Sequence, residues 1–425
     1  MSVSSALRER LDQEIQSIAV IDTHEHIPDE STILGRGFFS FFEHYVSSDL
    51  VSAGMPRESL ERMRDGDRAL PLAERWSLMA PYWPFVRTTG YGRAMLEYMR
   101  ELFGVDDINE GTVADLDARI RAAHQPGWYR TVLREKANIE TALVIIWPGE
   151  PVQVDTEFFR AVPILDHLAV PGTRAELNEL EKRYDTSIQT LDQLAVAQEA
   201  TLDAFVARGI AAVKIFLAYR RPLRFDRVEK SEASRVFDRI WLSQTQDLGF
   251  EDLKPLQDFM TRRLVGLAAD RGLPIQVHTG LQEGNGNYLE NSNPTHLTNL
   301  FMEFQDARFD VFHAGYPYTG QVAALAKNFP NVYADLCWVP AISPEVFVRT
   351  LHEWLEVIPS NKVLAVGGDS NYVEGAYGHI RIARRLTGRV LAEKVESGYL
   401  NEDEAVWLAG RILRENAAGL FRLEV

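Results

Sequence analysis

Eight short runs of β-branched and apolar residues, at 18–26, 141–147, 161–167, 211–219, 274–279, 309–314, 331–338 and 362–369, constrain this chain most. Each has the length of a strand buried on both faces. Most of the gaps carry helical periodicity: 253–271 before the fifth run, 320–329 before the seventh, 345–358 before the eighth, then 377–396 and 401–421. Parallel strands need a crossover, usually a helix, between neighbours. The alternation therefore predicts an α/β chain folded as a (β/α)₈ barrel with extra C-terminal helices. An open doubly wound sheet is the alternative, but no run is followed by the glycine-rich turn often found in such sheets. Residues 283–287 (EGNGN) come nearest, yet Leu289 stands where a third glycine belongs, so this segment reads as a loop.

The stretch between His26 and the second run is too long for a structureless loop. Its segments 57–63, 91–103 and 113–123 look helical, with a break marked by Pro81, Trp83, Pro84 and Gly90. Residues 27–135 are expected to form a helical insertion capping the barrel mouth, within one domain covering 1–425. Asn401, followed by Glu404 three residues later, reads as a helix-capping pair.

Composition narrows the function. A net charge of -16 argues against a nucleic-acid-binding face. The single cysteine, Cys337, fits a reducing compartment. Residues 1–16 carry Arg8, Arg10, Asp12 and Glu14 instead of the apolar core of a signal peptide, and the run at 141–147 is too short to span a bilayer. A cytoplasmic enzyme without membrane contact is expected. The aromatic-rich segment 37–45 is a candidate interface for a homo-oligomer.

The strongest local motif is Asp22-Thr23-His24-Glu25-His26, at the end of the first run. Side chains alternate faces along a strand, so His24 and His26 point the same way, as half of a divalent-metal site would require. The zincin motif is absent, because Pro28 occupies the place of its second histidine. Two spaced histidines alone are weak evidence. The fourth run carries Lys214, however, the fifth ends at His278, the sixth at His313 and the eighth at Asp369. In a barrel, the C-terminal ends of the strands are where active sites form.

This set resembles the amidohydrolase superfamily, with its His-x-His on the first strand, optional lysine on the fourth, histidines on the fifth and sixth, and aspartate on the eighth. Within it the chain is similar to the branch of decarboxylases, uronate isomerases and the amidohydrolase-type domain of glutamine synthetase-like fusions. VKIFLAYR (213–220), PIQVHTGL (274–281), HAGYPYTG (313–320) and FPNVYADL (329–336) look closest to the last. The resemblance implies one divalent ion, zinc or alternatively manganese, held by His24, His26, His278 and Asp369. Zinc lowers the pKa of a bound water towards about 7. Asp369 would then act as general base, and His313 would polarise a substrate carbonyl or steady the developing oxyanion.

Three readings of Lys214 stay open: carbamylated and bridging a second metal, unmodified and paired with a substrate carboxylate, or salt-bridged inside the barrel. Tyr219, Arg220, Arg221 and Arg224 form a basic cluster beyond it. Arg220 is the candidate clamp for a small anionic substrate, with a solvated loop as the alternative. Trp338 is a candidate pocket wall or a core residue, and Cys337 reads as packed. His44, His124, His167, His296, His352 and His379 belong to no motif.

The resulting expectation is a metal-dependent hydrolase of a C–N or ester-type bond. A lyase or uronate isomerase on the same site is the alternative, and a non-catalytic binding protein the third reading. The resemblance to isomerases implies an arginine two residues after the eighth-strand aspartate; here that residue is Asn371.

Overall fold

The computed structural model describes residues 5–64, 70–151, 153–242 and 248–424. The strands are β1 (Val20–Glu25), β2 (Ile139–Ile146), β3 (Phe159–Pro163), β4 (Val213–Ile215), β5 (Ile275–Val277), β6 (Phe309–Val311), β7 (Val332–Asp335) and β8 (Val363–Leu364). Each overlaps one of the expected runs, and most are shorter. Several ends turn into 3₁₀ segments instead, at Asp166–Leu168, Leu217–Tyr219 and Phe312–Gly315.

All ladders are parallel, in the orders β1-β2-β3 and β4-β5-β6-β7-β8. The two sheets join on one side through the Ile164–Lys214 bridge and the bond from Ala211 N–H to the Ala161 carbonyl, 3.0 Å. On the other side Thr23 N–H donates to the Val366 carbonyl at 3.2 Å, and Asp369 N–H to the His24 carbonyl at 2.8 Å. The strands thus close into the expected barrel, which leaves no free sheet edge.

The pleat divides the residues of each strand between two environments. Ile21, Leu143, Ile145, Val162, Ile164 and Leu364 join one apolar cluster with Leu420 and Phe421 near the C-terminus. Asp22, Lys214, Gln276, Asp310 and Asp335 are buried. Gln276 Nε2 crosses to the Thr23 carbonyl at 2.9 Å and to Asp310 Oδ2 at 3.2 Å, so this set fills the barrel interior.

Between β1 and β2 run the helices Val46–Ser52, Arg57–Arg64, Leu72–Met79, Trp83–Val86, Gly90–Phe103 and Val113–Ala123. The expected break at 81–90 contains the short helix Trp83–Val86. Pro84 sits in its first turn, where a missing N–H leaves no helical bond unmade. Segment 37–45 corrects the interface expectation. Phe38, Phe39, Phe41 and Phe42 are all buried, packing edge-on or tilted against one another and against Tyr98 and Tyr372. Their aromatic surface is spent inside the chain.

After β8 come Val373–Glu396 and Glu402–Gly410. The Asn401 side chain accepts from Glu404 N–H at 2.9 Å, and Glu404 Oε2 accepts from Asn401 N–H at 2.8 Å. Asn401→Ala is expected to cost about 1 kcal/mol, the usual value of an N-cap, as read from denaturant unfolding. An unchanged midpoint would show that this cap does not contribute.

Candidate active site

The ends of β1 and β8 are sewn together around one carboxylate. Asp22 Oδ1 accepts from the N–H groups of His24 and Gly368, both at 3.1 Å. Glu25 Oε2 accepts from Ser370 N–H at 2.6 Å, and His26 N–H donates to the Ser370 carbonyl at 2.9 Å. Asp369 is thereby held with φ 53°, in the left-handed region. His313 and Trp338, after β6 and β7, have φ of 61° and 68°. Such conformations cost energy in residues other than glycine and concentrate where side chains must be aimed.

His24 Nε2 lies 3.3 Å and His26 Nε2 3.1 Å from Asp369 Oδ1. Two donors each about 2.1 Å from a tetrahedral ion stand about 3.4 Å apart. The three side chains therefore fit a divalent metal, and their ligand atoms all lie within 4.8 Å of one another. Burial, with Lys214's charge second, holds His24 well below its usual pKa, so its imidazole is neutral, as a ligand must be. Burial alone would raise Asp369. The hydrogen bonding and charge of His24, then His26 and His313, outweigh it and hold the group well below the usual carboxylate range.

His278 and His313 form a second pair. His313 Nε2 lies 3.1 Å from His278 Nδ1 and 3.9 Å from Asp369 Oδ2, and its Nδ1 is 3.2 Å from the Cys337 carbonyl. His278 Nε2 bonds the Leu281 carbonyl at 3.0 Å. The four expected ligands are thus divided: three converge, while His278 turns its free nitrogen to His313. Burial holds His278 down to about 3, so it too is neutral at neutral pH.

A cavity of about 320 Å³ opens on this centre, lined by His26, His44, Trp147, Phe216, Tyr219, His278, Glu283, Asp369 and Asn371. Tyr219, of the expected basic cluster, is on this wall. Its ring stacks on Phe216 at 4.3 Å, and its hydroxyl accepts from Glu283 N–H at 2.8 Å. Trp338 lies behind the wall, edge-on to His313 at 5.2 Å and stacked on Tyr45 at 5.1 Å. Lys214 lies deeper, fully buried, with Nζ 3.6 Å over the Phe312 ring and no hydrogen-bond partner among the described residues. Burial lowers it to about 8, against the pull of Asp369. Neither Lys214 nor Trp338 is on the cavity wall.

The basic cluster disperses. Arg220, the expected carboxylate clamp, is 56% exposed and donates to Glu176 Oε1 at 3.2 Å. The Leu217–Tyr219 turn carries it outward to a fixed anion. Arg221 is buried on Asp258 at 2.5 Å, and Arg224 pairs with Asp226 at 3.0 Å. Arg220→Ala is expected to leave kcat/KM within about twofold, since exposed pairs contribute little; a tenfold loss would return Arg220 to the site.

Sequence reasoning missed His44, Trp147 and Glu283. Trp147 directly follows β2, a strand end like those searched for ionisable groups. His44 and Glu283 lie on irregular segments without a periodic signal.

Three kinds of likeness place the chain among known proteins. The family model described as Amidohydrolase matches residues 242–364. Protein fluG of Emericella nidulans is 29% identical over 263 residues, 60% of this chain and 30% of that protein. The chain therefore corresponds to about a third of fluG's length. A uronate isomerase of Rhizorhabdus wittichii is 22% identical over 97% of this chain and 95% of its own. The crystal structure of uronate isomerase from Thermotoga maritima superposes with a TM-score of 0.81 at 17% identity, covering 99% of this chain and 98% of that one. The family match over part of the chain and the near whole-chain likeness of fold accord with the resemblance to the amidohydrolase superfamily. Among the described residues no helix is long and apolar enough to cross a membrane.

Proposed function

We propose that the chain is a metal-dependent hydrolase that cleaves a C–N or ester-type bond in a small carboxylate-bearing substrate. The observation that carries this reading is the convergence of His24 Nε2 and His26 Nε2 on Asp369 Oδ1 at a cavity wall. Two imidazoles and a carboxylate suit zinc, with manganese second. Such an ion, when bound, supplies Lewis acidity and an activated water. Asp369 accepts the proton of the attacking water and delivers it to the leaving nitrogen or oxygen. His278 would join the donor set only by giving up its contact with His313 Nε2, and as it stands it orients His313. His313, 3.9 Å from Asp369 Oδ2, steadies the carboxylate between these two proton transfers. Lys214 stays unmodified and acts through its charge.

An adjoining chamber of about 320 Å³ shares His26, Trp147 and Asn371 with the inner one, and a substrate carboxylate would have to reach Arg36 there past Glu43, Glu150 and Glu374 on the same wall. Arg36 is held only loosely, 3.5 Å from Glu43 Oε1, and remains available to an anion. The single, buried Cys337 supports a cytoplasmic setting.

A second reading, aldose–ketose isomerisation of a uronate, is favoured by the match to the Rhizorhabdus enzyme over almost its whole length. Asn371 in place of a cation beside Asp369 weighs against it. Metal analysis and a substrate screen test both. Purified protein is expected to carry about one divalent ion per chain and to lose turnover on chelation. N-acyl and ester substrates should be hydrolysed while uronates are returned unchanged. Protein with no metal affinity would end both readings, and ketose formation from a uronate would select the second.

A further inference from the structure

Glu283 lies on the wall of the inner chamber, opposite in role to the metal ligands. Its Oε1 accepts from Ser48 Oγ at 2.8 Å, and its Oε2 lies 3.7 Å from His44 Nε2. Arg64, whose charge reaches Glu283 from a distance, is itself engaged with Glu61. Among the described residues no lysine or arginine lines the chamber. A divalent ion would answer the charge of Asp369, but Glu283 stands outside that donor set.

The surroundings of Glu283 are aromatic. Trp147, Phe216 and Tyr219 share the chamber wall with it. On its other side a smaller chamber of about 140 Å³ is bounded by Tyr45, Tyr91 and a second carboxylate, Asp49. Ring faces with a carboxylate at one end attract an alkylammonium, through the quadrupoles of the rings and one unpaired charge. A substrate carboxylate would instead meet repulsion here.

Building on the hydrolase reading, we infer that Glu283 and these rings form a subsite for an ammonium group of the substrate, so that the molecule cleaved carries an amine as well as a scissile acyl bond. This accounts for a half-buried carboxylate that the hydrolytic steps leave unused.

The test separates binding from turnover. Hydroxamates anchor on a protein-bound metal whichever reaction the enzyme performs. ω-Amino and ω-hydroxy alkanohydroxamates of matched length, two to six carbons, are titrated by calorimetry into the metal-loaded protein and its Glu283→Gln variant. That substitution keeps an acceptor for Ser48 and removes only the charge. At the best length the amino compound should bind about tenfold tighter than its hydroxy partner, the effect of about 1.4 kcal/mol, and the preference should vanish in Glu283→Gln. Equal or tighter binding of the hydroxy compound by the wild-type protein at every length would overturn the subsite, and so would a preference that survives in the variant. Turnover of the matching anilides reports on the hydrolase reading independently.

Discussion

Asp369→Asn is expected to lower kcat by about 10³-fold or more, the scale of a lost general base, and to reduce metal retention. Three arguments converge on this residue. Its Oδ1 receives two imidazoles, at 3.1 and 3.3 Å. It is the negative charge nearest that meeting point, kept ionised despite full burial. Its backbone is tied to the end of β1 by the bond from Asp369 N–H to the His24 carbonyl, 2.8 Å, which fixes where the carboxylate is aimed. Asparagine keeps the shape but loses the charge and one acceptor oxygen. The check is steady-state turnover together with elemental analysis of dialysed protein. Wild-type turnover with an undiminished metal content would remove Asp369 from the centre. The fold should survive, because the amide still offers an oxygen to one histidine.

Gly280→Ala is expected to destabilise the chain by about 4 kcal/mol, combining overpacking with left-handed strain. Gly280 has φ 74°, and an added Cβ would lie 2.3 Å from the Gly315 carbonyl carbon and 2.4 Å from the Tyr316 carbonyl oxygen. These are backbone atoms and cannot rotate away. The contact joins the loop after β5 to the loop after β6, and Leu281 N–H donates to the Tyr316 carbonyl at 2.6 Å. Any relief of the clash must therefore move His278 relative to His313. Denaturant unfolding measures the cost, and metal affinity should fall alongside it. A loss below 1 kcal/mol would mean that the loops part easily and the histidine pair is not rigidly held.

Much of the fold was legible because buried parallel strands leave nearly continuous apolar runs, and all eight runs are occupied by strands. Boundaries were less legible. The run at 161–167 reads as one strand, but β3 ends at Pro163, and Asp166 turns out of it to accept Phe216 N–H at 2.6 Å. The Asn401 cap depends on neighbours three residues apart, so it is legible along the chain. The aromatic segment 37–45 was misjudged because composition does not tell a buried cluster from an exposed patch. Only its packing on Tyr98 and Tyr372 does.

The sequence by itself determined that His24, His26 and Asp369 meet, a grip only in the sense of geometry. A period of two aims both histidines to one side, and closing an eight-strand barrel makes the last strand the neighbour of the first. The tertiary structure alone decided what surrounds that grip. Lys214 sinks beneath Phe312, Arg220 leaves for Glu176, and His278 turns to His313. Meanwhile His44 and Glu283 enter from irregular segments. Strand direction follows from local backbone geometry, so it can be read along the chain. The aim of a loop side chain depends on which distant charge or ring it meets, and that is fixed only when the chain has closed.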